Sequence, residues 1–215
     1  MLKEVHRYHV HLELISGMHI TGSDNTFDIG GADSQVIKNP LTGEPYIPGS
    51  SLKGKLRSLL DYRYGSLVGE GNKKDYKVTN GEHQPLLCLF EPVDGYTPMV
   101  TRGIFRDLRL TDDAKALLNR ILGEGVYTEI KAENTINRFQ GKAANPRFIE
   151  RVPAGASFDG EIDILEFDGD PYERIYQYLE EAIEMLNHHF IGGSGSRGYG
   201  QVRVTIKEME SVRHE

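Results

Sequence analysis

Alternation of apolar and polar residues, interrupted twice by helical spacing, predicts that this 215-residue chain folds as an α+β protein. Three observations carry that reading. Tyr8, Val10, Leu12 and Leu14 alternate with Arg7, His9, His11 and Glu13, as on a strand with one face buried. The apolar spacing turns helical at Leu52, Leu56, Leu59 and Leu60, and again at Ile175, Leu179, Ile183, Leu186 and Phe190. The chain then returns to alternation, with Val202, Val204 and Ile206 on one face.

Taken in order, the first strand covers Val5 to Leu14, and its three histidines, His6, His9 and His11, read as surface residues rather than ligands. Gly, Asp, Asn and Pro dominate from Ser16 to Pro48, the composition of a long, lid-like excursion. Ser50 or Ser51 is placed to cap the first helix, whose polar face carries Lys53 and Arg57 one turn apart with Lys55 beside them. Glycine and charge from Gly65 to Glu82 suggest a mobile surface insertion. A strand near Ile104 to Leu110 runs into a short helix from Thr111, where Asp112 and Asp113 suit the positive end of the helix dipole. Tyr127 to Arg151 is polar, mixed in sign and without a clear period. Ser157 to Phe167 alternates again, Pro171 opens the second long helix, and Tyr199 to Ile206 forms the last strand. With the excursions set aside, the order is βαββαβ. This is the ferredoxin-like (RRM-like) plan of antiparallel strands with helices on one face.

The length suits one core, and a 38% hydrophobic content gives no reason to expect disorder. The first residues alternate instead of forming an apolar leader, and no run approaches a membrane span, so a cytoplasmic protein without membrane contact is expected. One cysteine, Cys88, with one nearby histidine, His83, falls short of four ligands, so structural zinc is not expected. The net charge of −7 is unevenly spread. Ten acidic residues and only Arg174 as a base lie between Asp159 and Glu184, a solvated face or a contact for a basic partner, and the rest of the chain is slightly basic.

The stretch GGSGSRGYG, Gly192 to Gly200, contains a GxGxxG pattern. In dinucleotide folds that pattern leaves a strand and opens a helix. Here it follows a helix and enters a strand, so it reads instead as a loop permitting positive φ, close approach and presentation of Arg197. A second glycine-serine element, PGSSLKGKLRS, places serine hydroxyls, backbone amides and Lys53, Lys55 and Arg57 at a helix start, chemistry suited to a phosphodiester backbone.

With YIPGSSLKGKLRSLL, EIKAENTINRF, ANPRFIERV and IGGSGSRGYGQV in that order, the chain resembles the RAMP superfamily and, within it, the backbone subunits of type III-A CRISPR effector (Csm) complexes. The resemblance spans nearly the whole chain. It implies one domain over 1–215, with insertions at about 16–48, 65–99 and 126–152, the last being a thumb. It also implies copies stacked along a guide crRNA beside other Csm subunits, cutting paired target RNA at regular intervals as a metal-dependent endoribonuclease. By similarity the catalytic residue is Asp33 in IGGADSQV, acting on a ribose 2′-hydroxyl as a base or through Mg²⁺ or another divalent cation. Guide contacts are expected from His19, Ser50, Ser51, Lys53, Lys55, Arg57 and Arg197, with Arg138, Asn145 and Arg147 on the thumb. The sequence departs from the family pattern at Gln35, where proline is frequent, and in LLCLFEPVDG, which lacks a second cysteine. Competing readings are a non-catalytic crRNA-binding scaffold, the type III-B (Cmr) counterpart and a CRISPR repeat-processing endoribonuclease.

Overall fold

The structure is a computed structural model of the chain and describes residues 1–22, 34–68, 75–78, 83–139, 141–209 and 211–213. Its elements are β1 (Leu2–Leu14), β2 (Tyr46–Ile47), α1 (Gly49–Tyr64), β3 (Ser66–Val68), β4 (Asp75–Lys77), α2 (Gln84–Phe90), β5 (Gly103–Phe105), β6 (Leu108–Leu110), α3 (Asp112–Leu122), β7 (Glu129–Asn137), β8 (Lys142–Arg151), β9 (Ser157–Phe167), α4 (Tyr172–Asn187), β10 (Val202–Glu208) and β11 (Val212–Arg213). The main sheet runs β10-β1-β9-β6-β2, with β5 also on β9 and β11 on β1, and each of these pairings is antiparallel. Reduced to β1, α1, β5/β6, β9, α4 and β10, it is the ferredoxin-like arrangement, with the first strand between the third and the last.

Strand β1 buries every even residue from Glu4 to Leu14, as a period of two requires. Tyr8, Val10 and Leu12 meet Leu52, Leu56, Leu60, Ile175, Leu179 and Leu186 in a core beneath α1 and α4. The same parity makes His6 buried, correcting its surface reading.

Four local expectations also change. No serine side chain caps α1: Pro48 holds the N-cap position and the Asp107 carboxylate accepts from the Gly49 amide at 2.8 Å. The strand expected over Ile104 to Leu110 is broken at Arg106 and Asp107, and that break delivers Asp107 to α1. Phe190 lies past the end of α4 at Asn187. The stretch without a period from Tyr127 to Arg151 forms the β7–β8 ribbon, which pairs with no strand of the main sheet. Within the expected surface insertion, β3 and β4 pair with each other, and α2 just beyond buries Leu86 to Phe90 against α4 and β5. The short helix begins where expected, and Thr111 caps it, its Oγ1 accepting from the Ala114 amide at 3.1 Å.

The acidic block is mostly counter-ion for the protein's own cations. Asp163 accepts from Arg7 at 2.7 Å and from Arg106 at 2.7 Å on the face of the sheet opposite the helices. Arg102, fully buried, makes a two-pronged pair with Asp170 at 2.7 and 3.0 Å and donates to the carbonyls of Pro98 and Val100. Asp159 meets His11, Glu161 meets Arg7, Glu166 meets Lys3 and His6, Asp168 meets the N-terminal amine, and Glu181 meets Arg63. At the sheet's outer edge the Asn187 amide binds both polar groups of Val204, at 2.6 and 3.1 Å, in place of a further strand.

Burial pushes the Asp163, Glu166 and Glu150 carboxyls up, but their cationic and hydrogen-bonding partners outweigh it and hold all three below the usual range. Depressed folded-state values mean stabilisation that is complete above the unfolded values, about 4, and lost as pH falls through the folded ones. Thermal unfolding is therefore expected to be nearly constant from about pH 8 to 6 and to fall steeply below about pH 5, with a shallower acid limb in Asp163→Asn. A melting temperature that holds or rises toward pH 3 contradicts this.

Candidate nucleic-acid interface

Two of the sequence-predicted residues, His19 and Arg197, meet at a seam at the end of β1 where Leu14 pairs with Val202. Four segments meet there: the loop leaving β1, the segment from Ser34, the base of the β7–β8 ribbon, and the glycine-rich loop between α4 and β10.

His19 sits in the middle and is buried. Its Nδ1 lies 2.6 Å from the Glu150 carbonyl, which only accepts, so Nδ1 carries the proton. Its Nε2 lies 2.9 Å from the Ser34 hydroxyl and 3.1 Å from that of Thr21, each able to donate to it. The Glu150 carboxylate accepts from the Val36 amide at 2.8 Å and from Thr128 Oγ1 at 2.6 Å, and it pairs with Lys38. His19 and Glu150 thus anchor the segment that begins at Ser34. Asp33, the residue before it in sequence, lies outside the described residues.

In the glycine loop, three glycines make room for the protein's own atoms. A Cβ at Gly192 (φ +82°) would lie 2.4 Å from the His19 carbonyl oxygen, one at Gly195 would lie 2.1 Å from the Phe190 ring, and one at Gly200 (φ +68°) would lie 2.0 Å from the Ile191 carbonyl oxygen. Gly193 donates to the His19 carbonyl at 2.8 Å, and Gly200 to that of Gly17 at 3.0 Å. Gly198 (φ +85°) alone of the positive-φ glycines in this loop faces open space.

Arg197, well exposed, reaches Ser194 Oγ at 2.7 Å and lies 3.7 Å from Glu133 on β7. The buried Tyr199 donates to the same Glu133 carboxylate at 2.7 Å, with Lys131 4.6 Å and Arg151 5.4 Å from its ring centroid. Burial first, then the Glu133 bond, pushes the Tyr199 hydroxyl up to about 12. Tyr199 above all holds Glu133 below the usual carboxylate range, and burial opposes it. The ribbon is thereby tied to the loop.

The basic residues of α1 divide between two surfaces. Lys53 and Arg57 line a groove of about 600 Å³ with Ser50, Gly54, Lys77 and Phe90. Arg57 is held by Asp61 at 2.9 Å and Glu91 at 3.5 Å, and burial holds Lys53 below the usual lysine range. Lys55 turns the other way, lying 4.1 Å over the Phe190 ring and donating to His189 Nδ1 at 3.0 Å, and burial lowers its pKa as well. Ser50 is exposed and Ser51 half-buried. Arg138 at the ribbon turn and Arg147 on β8 are exposed; the side chain of Asn145 lies outside the described residues. Lys131, Glu133, Arg151, Tyr199 and His189 were not singled out from sequence. The Lys-x-Glu alternation on β7 was the one available signal for Lys131 and Glu133, and it lies in the stretch that showed no period.

Among the described residues, the one group of His, Cys, Asp or Glu with metal-ligand geometry is Glu4, His6 and Glu166, at the other end of β1. Beside His19 and Ser34 there is none among them, so a divalent ion at this seam finds no described set of protein ligands. No helix among the described residues is long and apolar enough to cross a membrane.

Fold and seam together define a ferredoxin-like domain with a ribbon pinned to a glycine-rich loop and cations on its first helix. The chain belongs to the RAMP superfamily, whose profile matches residues 11–203. It is 39% identical over 198 residues to the protein named CRISPR system Cms endoribonuclease Csm3 of Streptococcus thermophilus, covering 91% of this chain and 85% of that one. It is 35% identical over 207 residues to the protein of the same name from Mycobacterium tuberculosis, covering 89% and 83%. Two solved structures share the fold. A chain of the type III-B Cmr-beta complex bound to cognate target RNA superposes with a TM-score of 0.61 at 14% identity, over 96% of this chain and 61% of that one. A chain of a Csm3–Csm4 subcomplex of the type III-A interference complex does so with 0.54 at 24%, over 99% and 91%.

The glycine geometry makes a distinction that denaturant titration can check. Gly200→Ala, strained in φ and blocked by backbone, is expected to cost more than about 2 kcal/mol, and Gly198→Ala, strained but unobstructed, about 1 kcal/mol. Equal losses would show that close approach is not what Gly200 provides.

Proposed function

We propose that this chain is the repeated backbone subunit of a cytoplasmic type III-A CRISPR effector, one that holds the guide crRNA by its phosphates and cleaves paired target RNA beside each copy. The observation that carries the reading is the 39% identity to an endoribonuclease named Csm3 over 91% of this chain. In this reading the chain is one domain over 1–215, and the ribbon is the thumb. Its basic turn, with Arg138 and the exposed Phe139, is placed to meet RNA.

Exposed Ser50, Arg197, Arg138 and Arg147, with Lys53, contact phosphate and sugar, and Asn145 joins them on the thumb. His19, Ser51, Lys55 and Arg57 act by shaping the surface, since three of these four are already engaged by protein atoms. Contacts of this kind are blind to base sequence, as a scaffold for any guide requires.

Asp33 is the proposed catalytic residue, placed by sequence next to the segment that His19 and Glu150 anchor. It takes the proton of a ribose 2′-hydroxyl, whose oxygen attacks the adjacent phosphorus while the 5′-oxygen leaves. An ordinary aspartate, with a pKa of about 3.9, is a weak base for this step, and Mg²⁺ or another divalent cation would stabilise the charge on the phosphate. No described residue is assigned to that cation.

The test is cleavage of labelled target RNA by the reconstituted guide-bound complex. Wild type is expected to give regularly spaced products ending in 5′-hydroxyls, suppressed by EDTA. Asp33→Asn should bind guide and target as wild type does and leave the target intact. Cleavage unchanged in Asp33→Asn overturns the assignment. Target left intact by wild type, while still bound, supports instead a scaffold whose aspartate is inert.

A further inference from the structure

We propose that the far end of the sheet carries a second, structural site for a divalent first-row transition metal, formed by Glu4, His6 and Glu166. Glu4 and Glu166 stand directly opposite each other on β1 and β9, and both face the buried side. Like charges in that relation repel unless a cation lies between them. His6, two residues along the same face, brings an imidazole to the same point, so that donor atoms from all three lie within 4.8 Å of one another.

The three residues are 7–8% exposed, and the imidazole is fixed by stacking on Tyr172 at 3.8 Å between ring centroids. Rigid donors of this kind lose little freedom when an ion is bound.

The surrounding charge also favours a cation. A cleft of about 520 Å³, open to solvent, reaches these residues and is bordered by Lys3, Asp170, Pro171, Tyr172, Glu173 and Arg174. Glu208 lies 3.8 Å from His6 Nδ1. Asp170 is already taken by Arg102. Glu173 and Glu208 thus add negative charge beside the three residues.

Part of the place is now filled by the Lys3 ammonium, 2.5 Å from Glu166 on a side chain that is 57% exposed, and this is the group an incoming ion would displace. One imidazole with two carboxylates suits Zn²⁺ or Mn²⁺ better than Mg²⁺, which prefers oxygen donors alone. This site differs from the one judged incomplete at Cys88 and His83. From Glu4 to Leu14 is ten residues of strand, roughly 33 Å, so it is remote from the RNA seam. An ion there would clamp β1 to β9 and, through the Ser211 hydroxyl bond to Glu4, the C-terminal strand β11.

Zn²⁺ binding to the purified, EDTA-stripped chain, by calorimetry with thermal unfolding in parallel, tests the inference. A single Zn²⁺ per chain is expected, raising the melting temperature. His6→Gln and Glu166→Gln should weaken binding by roughly 10-fold or more, and Lys3→Ala, an exposed change that leaves the core intact, should tighten it several-fold because it removes the competing ammonium. Absence of stoichiometric binding, affinity unaltered in His6→Gln, or no gain in Lys3→Ala would each overturn the site.

Discussion

The pairing of β1 with β9 is the constraint on which the rest of the structure depends. Eleven residues of β1 find partners on β9, and the period of two gives each strand an apolar face toward α1 and α4 and a charged face away from them. A slip of one residue would turn Tyr8, Val10 and Leu12 to solvent and bring Arg7, His9 and His11 into the core. The same register sets Arg7 against Asp163 and His11 against Asp159, so it also neutralises the acidic block. An RRM-type RNA platform needs aromatic residues and free cations on the open face of the sheet. Here that face holds Arg7 and Arg106 bound to carboxylates, which leaves the seam at the end of the sheet as the surface suited to RNA.

At the seam, backbone contact does what side-chain packing does elsewhere. Gly192, Gly195 and Gly200 let the loop lie against His19, Phe190 and Ile191, and the Tyr199–Glu133–Arg197 cluster joins that loop to the ribbon. A two-stranded ribbon is marginal by itself. This one gains its orientation from Tyr199, from Arg151 packed on Gly17, and from Glu150 beneath the Ser34 segment. Positions that read as independent RNA contacts in sequence are thus mechanically linked, so a change at His19 would be felt at the loop, the ribbon and the segment next to Asp33.

The ferredoxin-like order was legible because β1, α1, β9, α4 and β10 each have one buried face and therefore a clean period. The β7–β8 ribbon was not, since with Ile130, Ile136 and Phe139 exposed it packs no face on the core and nothing selects alternation along it. The α1 cap misled for a different reason: the carboxylate that serves it, Asp107, is 58 residues away and is delivered by a break in a strand. His6 was misjudged because its parity with Tyr8 was outweighed by its chemistry. In the interface, the residue types were readable but their division was not. Whether Arg57 faces RNA or Asp61 and Glu91, and whether Lys55 points outward or across Phe190, is decided by tertiary neighbours.

The central claim, that RNA lies along the seam and not on the open face of the sheet, is tested most directly by photocrosslinking. The assembled complex would carry a guide with 4-thiouridine at successive positions, and the crosslinked peptides would be mapped. The account predicts crosslinks within Ser50 to Arg57, Arg138 to Arg147 and Gly192 to Gly198. Crosslinks concentrated instead at Arg7, Arg106 and Arg203 would contradict it.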